Sequence, residues 1–121
     1  MKRGEIYYAN LSPTVGSEMD KRRPMLVVSN DASNRAADTV TILPITSNVS
    51  RVYQFEVLLE LGEGGLPKPF KVQTHQIRTI SKQRISRGML GSLSQEKMQF
   101  VLLLGYIWRC DTTPDANHLW V

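Results

Sequence analysis

Gly16-Ser17-Glu18-Met19-Asp20-Lys21-Arg22-Arg23-Pro24 leads straight into Met25-Leu26-Val27-Val28-Ser29-Asn30. A charged loop bearing a glycine thus passes through an Arg-Pro step into a short apolar run of strand length. Pro24 has no amide and keeps the residue before it extended, so the Arg23 guanidinium stands at a fixed place beside a buried strand. Gly16 opens backbone angles closed to other residues, and the loop from Thr14 to Arg23 is long enough to move as a flap. Three consecutive basic residues are ordinarily just a solvated loop. A second segment argues for more: Thr39 to Asn48 (TVTILPITSN) reads as a strand ending in hydroxyl and amide side chains. Laid beside Met25–Ser29, it would complete one polar, cationic pocket, and a fixed arginine in such a pocket suits a phosphate.

Outward from these two segments, the chain reads as short strands. Glu5 to Leu11 places Tyr7, Ala9 and Leu11 on one face and Ile6 and Tyr8 on the other, a strand buried on much of both sides. Asp31 is the expected N-cap of a short helix over 32–37. Pro44 inside the Thr39 strand predicts an edge or a bulge that re-aims Thr46. Phe55 to Leu61 predicts a strand with Phe55, Val57, Leu59 and Leu61 inward and Glu56 and Glu60 outward. After the turn-rich Gly62-Glu63-Gly64-Gly65-Leu66-Pro67, one extended stretch is expected from Phe70 to Ile77. Its alternation puts Lys71, Gln73 and His75 on one face, opposite Phe70, Val72, Thr74 and Gln76. Arg87 to Leu93 is expected as the last strand. Ser94 then caps a helix to about Trp108, with Leu93 and Met98 as a hydrophobic staple and Met98, Val101, Leu102, Gly105 and Trp108 as its inward stripe. Many strands, one terminal helix and no βαβ rhythm predict a mainly β fold: a small curled antiparallel sheet or barrel with a short helix after the second strand and a C-terminal helix.

The chain has 121 residues, enough for one domain with a real core and too few for two. Its longest apolar run, Phe100 to Leu104, is far short of a membrane span. The N-terminus meets a strand pattern without a hydrophobic leader, so the cytoplasm is the expected location. A single cysteine, Cys110, excludes an internal disulfide and a cysteine-rich zinc site. The formal net charge is +4, and its distribution matters more than its size. From Leu66 to Ser94 lie Lys68, Lys71, Arg78, Lys82, Arg84 and Arg87 with no acidic residue. Such a stretch attracts a polyanion, either nucleic acid or an acidic protein segment.

Arg3-Gly4-Glu5-Ile6-Tyr7-Tyr8-Ala9-Asn10-Leu11, Gly16-Ser17-Glu18, Arg23-Pro24 before an apolar strand, Ser29-Asn30-Asp31, Pro44-Ile45-Thr46-Ser47 and Gln76-Ile77-Arg78-Thr79-Ile80 come in the order and spacing of the MazF/PemK toxins. The resemblance covers residues 3 to about 105. It implies an SH3-like barrel, a homodimer, and an endoribonuclease of a type II toxin–antitoxin system that cuts single-stranded RNA without a metal or other cofactor. It also implies a MazE-like antitoxin whose acidic C-terminal part covers Arg23 and the Thr14–Arg22 loop. Residues 1–110 would be the toxin domain and 111–121 a tail. The sequence departs from the family's pattern at His75, where an acidic residue often precedes the glutamine, at Gln54, where proline is common, and after Trp108.

The histidines, His75 and His118, are isolated in sequence and the carboxylates are scattered, so neither a metal cluster nor a cysteine or serine nucleophile site is in view. RNA brings its own nucleophile, the 2′-hydroxyl, and leaves a 2′,3′-cyclic phosphate and a 5′-hydroxyl in the manner of the family. The enzyme has to orient the groups, stabilise added negative charge and move protons. Arg23 and Thr46 fall on the family's catalytic positions; a planar fork holds phosphate oxygens, and a hydroxyl can donate to them. Glu18 either abstracts the proton or holds the guanidinium by a salt bridge. Ser17 is a further phosphate contact, and Asn34, Arg35, Asn48, Gln76 and Arg78 could read unpaired bases, with Tyr53 and Phe55 available to stack. Two other classes stand beside this one. A CcdB-like gyrase poison would use a tryptophan near the chain end, here Trp120, and a binding module would hold RNA or protein without cutting.

Overall fold

The computed structural model describes residues 1–11 and 22–111, with side chains through Tyr106. The described strands are β1 (Glu5–Asn10), β2 (Arg22–Val27), β3 (Thr39–Thr46), β4 (Glu56–Leu59), β5 (Phe70–Gln73), β6 (Arg78–Ser81) and β7 (Gly91–Ser92). Two helices, α1 (Asp31–Ala36) and α2 (Gln95–Asp111), complete the chain, with single 3₁₀ turns at Glu63–Gly65 and Lys82–Arg84. The strands form one antiparallel sheet in the order β4-β5-β3-β2-β1-β7. β6 pairs with β3 as well.

The sheet curls because β3 serves three partners. One edge pairs with β2 through Ile42–Pro44. The other edge pairs with β6 over Thr39–Ile42 and with β5 over Ile45–Thr46. A few residues past β6, Ile85 bridges Ala9 on the edge of β1 that β2 leaves free, and the amides of Ser86 and Leu90 donate to the carbonyls of Tyr8 and Ile6 at 2.8 and 2.7 Å. The chain thus returns from β3 to β1 and rolls the sheet into a small barrel, in agreement with the mainly β expectation. Inside it lie Ala9, Met25, Val27, Val40, Ile42 and Ile80, with Tyr7, Leu11 and Ile85 packed against them. The outer face carries a second core of Ile6, Leu26, Leu43, Ile45, Val57, Leu59 and Val72, covered by Met98 and Val101 of α2. The split of β1 into two buried faces follows the sequence reading, because Ile6 enters one core while Tyr7 and Ala9 enter the other.

Several sequence expectations are corrected. Pro44 lies in a central strand, at the gap where β3 passes from β6 to β5 and neither of them pairs with it. A residue without an amide is tolerated there. The same gap divides the expected Phe70–Ile77 strand: β5 and β6 run in file along β3, and a turn joins them, with the Gln76 amide donating to the Gln73 carbonyl at 3.0 Å. Glu56 is buried rather than outward, Leu61 is 72% exposed, and β4 starts only after Phe55. The expected Arg87–Leu93 strand shrinks to β7, while β6 was not foreseen as a separate element. The N-cap of α1 is Asn30, whose side chain accepts from the Ser33 amide at 2.8 Å; Asp31 opens the helix and accepts from the Arg3 amide. α2 keeps its Ser94 cap, which accepts from the Lys97 amide at 3.1 Å, and it continues to Asp111. The side chain of Trp108 lies outside the described residues.

The turn after β4 presses against β7 backbone to backbone. Gly65 has φ +73, and a Cβ on it would stand 2.2 Å from the Leu90 carbonyl oxygen. Gly62 has φ +88 with open space around it. Gly62→Ala should therefore cost only the left-handed strain, about 1–2 kcal/mol. Gly65→Ala should cost clearly more, about 3–5 kcal/mol, since strain and a backbone clash combine. Denaturant midpoints of the two variants check this ranking.

Candidate functional site

One end of the barrel collects the residues of interest. β1 ends there at Asn10, which pairs with Arg22, and Ala9 pairs with Arg23. The Arg78 guanidinium donates to the Leu11 carbonyl at 3.0 Å, and that of Arg84 to the Asn10 carbonyl at 3.3 Å. Arg22, Arg23, Arg78 and Arg84 thus share one rim; of the basic stretch read from the sequence, Arg78 and Arg84 reach it, whereas Lys71 is buried in an ion pair with Glu56 and Lys82 donates to the Asn34 carbonyl beside α1. Arg23 is exposed, and its guanidinium donates to the Arg22 carbonyl at 3.1 Å.

The β2–β3 register brings Thr46 to this rim. Met25 pairs with Pro44, Leu26 with Leu43 and Val27 with Ile42, and the ladder ends there; continued two residues further, the same register would set Arg23 opposite Thr46. Residues two apart along a strand share a face, and both therefore stand on the face whose Met25, Val27 and Ile42 fill the barrel. Thr46 is half-buried and ends its strand, and its Oγ1 accepts from the Asn48 amide at 3.3 Å. With the oxygen engaged as acceptor, the hydroxyl hydrogen remains to donate outward. Asn48 lies beside it, its Oδ1 accepting from the Ser50 hydroxyl at 2.8 Å.

Behind Thr46 lies a feature that the sequence reading missed. Lys71 pairs across β5 with Thr46, and its Nζ donates to Glu56 Oε1 at 2.9 Å and to the Arg51 carbonyl at 2.7 Å. Glu56 Oε1 also accepts from the Tyr53 amide at 3.0 Å. This ion pair is nearly dry, with side-chain exposures of 9% and 2%, and it clamps the connection between β3 and β4. The signal available in sequence was weak: opposite charges in two runs joined by a glycine-rich turn. Strand alternation pointed Glu56 outward and said nothing of which partner the Lys71 face would meet. On β1, burial first and the bond to Glu5 Oε1 second push the Tyr7 phenol up to about 12.

Other expected site residues lie elsewhere. α1 connects the far end of β2 to β3, so Asn34 and Arg35 are a strand length, about 15–20 Å, from Arg23. Asn34 is buried, its amide donating to the Ser29 carbonyl at 2.9 Å and its Oδ1 accepting from the Ser29 hydroxyl. Its polar atoms thus hold the turn before α1 instead of facing a ligand. Arg35 is exposed on the last turn of α1. Gln76 is exposed in the turn between β5 and β6. Ser17 and Glu18, and the rest of the predicted flap, lie outside the described residues. Among the described residues, no three His, Cys, Asp or Glu side chains gather as a metal site, and no helix is long and apolar enough to cross a membrane.

The model of the family described as PemK-like, MazF-like toxin of type II toxin-antitoxin system matches residues 2–103. Endoribonuclease MazF9 of Mycobacterium tuberculosis is 44% identical over 92 residues, spanning 72% of this chain and 78% of its own. Endoribonuclease EndoA of Bacillus subtilis is 38% identical over 87 residues, spanning 71% and 75%. In fold, the chain is similar to the crystal structure of MazF from Deinococcus radiodurans, with a TM-score of 0.72 at 24% identity over 89% of this chain and 94% of that one. A mycobacterial endoribonuclease solved in complex with its cognate antitoxin superimposes with a TM-score of 0.71 at 22% identity, covering 88% and 92%.

The clamp behind Thr46 is testable on its own. Lys71→Met leaves the Glu56 carboxylate buried without its cation and should cost about 3–5 kcal/mol in unfolding free energy. Adding Glu56→Gln should recover a large part of that loss. A denaturant titration in which the double variant is no better than the single one would rule out the ion pair as the source.

Proposed function

The chain belongs to the PemK-like, MazF-like toxins of type II toxin–antitoxin systems, and we propose that it cuts single-stranded RNA at the cationic rim, with Arg23 and Thr46 as its catalytic residues. The observation that supports this reading is the β2–β3 register, which, continued past Met25 and Pro44, would bring the exposed Arg23 and the Thr46 hydroxyl to the same end of the barrel. The Arg23 fork takes two non-bridging oxygens of the scissile phosphate and offsets the charge that grows as the 2′-hydroxyl attacks. The Thr46 hydroxyl donates to the same phosphate and, held by the Asn48 amide, keeps one direction. The P–O5′ bond breaks, and the products are a 2′,3′-cyclic phosphate and a 5′-hydroxyl. Each step uses only the substrate's hydroxyl, protein donors and a proton acceptor, so no metal is required. Arginine is a poor general base, and Glu18, a few residues before Arg23 in sequence, is assigned either to that task or to holding the guanidinium. Arg78 and Asn48, near the phosphate, are better placed to touch the RNA than Asn34 and Arg35; Ser17 and Gln76 remain as further contacts.

The protein works in the cytoplasm, where its RNA is, as a homodimer whose 111–121 segment is a tail outside the toxin domain. Its silencing follows from the same rim. A MazE-like antitoxin with an acidic C-terminal segment would neutralise the four arginines and compete with RNA for Arg23 and the Thr14–Arg22 loop. The relatives named endoribonucleases and the toxin–antitoxin complex of similar fold support this reading.

Arg23→Ala and Thr46→Ala should each lower the cleavage rate by about 10²–10³-fold, the usual loss for a donor to a developing oxyanion. Both side chains lie at strand ends, at least partly exposed, so unfolding midpoints should stay close to wild type. Wild-type cleavage should persist in EDTA and leave cyclic phosphate ends. Either near-normal cleavage by a folded variant, or activity lost in EDTA and restored by a divalent cation, would contradict the assignment.

A further inference from the structure

The connection from β3 to β4 carries an aromatic column that the catalytic pair does not use. Tyr53 and Phe55 are stacked, their ring centroids 5.2 Å apart and their planes within 2°. His75, from the turn between β5 and β6, stands edge-on to Phe55 at 4.4 Å. Arg51 lies 5.6 Å from the Tyr53 ring centre and donates to its hydroxyl at 3.2 Å. A column of this kind is usually sunk into a core, but Tyr53 is 46% exposed. The buried Nδ1 of His75 has no hydrogen-bond partner among the described residues. An aromatic stack left half open to water on a connection between strands offers a flat apolar surface that a ligand ring can cover.

The column is also held in place. Lys71 Nζ sits 5.8 Å from the Tyr53 ring while binding the carbonyl of Arg51, Glu56 accepts from the Tyr53 amide, and the Thr74 hydroxyl donates to the Phe55 carbonyl. Lys71 links the two places, since it pairs directly with Thr46 and its Nζ reaches the Tyr53 ring, so the column stands about two strand spacings across the sheet and a few residues along it, roughly 10–15 Å, from the Thr46 hydroxyl. That is the span of one or two nucleotides from the scissile phosphate. We propose that Tyr53, Phe55 and His75 form a stacking site for one unpaired base beside the cleavage point, with Arg51 adding a cation over the platform. The site rests on the ribonuclease reading above and deepens it, since a rigid aromatic face takes a base and a cation beside it takes the linked phosphate. Lys71 and Glu56 are positioning residues for it.

The test is an abasic scan. The sequence that the wild-type protein cleaves is first mapped from the 5′-hydroxyl ends it produces. A short RNA of that sequence is then made with one nucleotide at a time lacking its base. One position near the cut should cost the wild type about tenfold in kcat/KM, carried mainly by KM. Tyr53→Ala should lose a similar factor on the intact RNA and be indifferent to the base at that position, and Tyr53→Phe should behave as wild type. Tyr53 is largely exposed, so the alanine variant should keep its unfolding midpoint. A Tyr53→Ala protein that still pays the full abasic penalty overturns the site. So does a variant with unchanged RNA kinetics but weakened inhibition by its antitoxin, which would assign the column to the protein partner. A wild-type protein that cleaves no RNA refutes the ribonuclease reading and this site together, whereas a cleaving protein with a flat abasic profile refutes the site alone.

Discussion

The register between β2 and β3 is the constraint on which the rest depends. Met25, Val27 and Ile42 point into the barrel, while Leu26, Leu43 and Ile45 point into the core beneath α2. A slip of one residue would exchange these two sets and push each into a space shaped for the other. Most sheets have one buried face to hold their register; here both faces do. Continued past Met25 and Pro44, the same register would set Arg23 opposite Thr46. The two side chains proposed to meet one phosphate would therefore be positioned by apolar packing several residues away, which costs the site none of its own exposure.

Barrel closure sets the electrostatics. The return from β6 to β1 brings Arg78 and Arg84 to the carbonyls at the end of β1, beside Arg22 and Arg23. Those guanidinium groups are tied to backbone oxygens, so like charges are held together by neutral acceptors at a rim open to water. In the opposite direction along the sheet, polarity is handled by burial. Lys71 and Glu56 neutralise one another inside the β4–β5 hairpin and use their remaining capacity on the backbone of residues 51 and 53. Replacing such a pair by apolar residues is often tolerated energetically. Its value here is local, because it fixes the connection that follows Thr46.

Much of this was legible in the sequence where patterns are local. The two-sided character of β1, the capped start of α2 and the order of short strands all follow from residues close together in the chain, whereas β2 begins at Arg22, earlier than the expected opening at Pro24, and ends at Val27. What escaped depends on partners distant in sequence. Alternation could not show that Lys71 and Glu56 meet, because pairing across the Glu60–Pro69 turn decides it. Nor could it show that the Phe70–Ile77 stretch breaks, because the cause is Pro44 on the neighbouring strand. Asn34 looked like a polar side chain free to read a base; its burial against Ser29 follows from how α1 packs, which no local pattern states. Arg23 and Thr46 were assigned by resemblance; the β2–β3 ladder ends two residues short of them.

The central claim is that Arg23 and Thr46 act on one phosphate. A double-mutant cycle on the single-turnover cleavage rate measures it most directly. If both residues serve the same phosphate, the combined Arg23→Ala and Thr46→Ala variant should be little slower than the slower single variant, since either truncation already spoils the shared geometry. Strictly multiplicative losses would mean that the two side chains act at independent places, and would contradict the account.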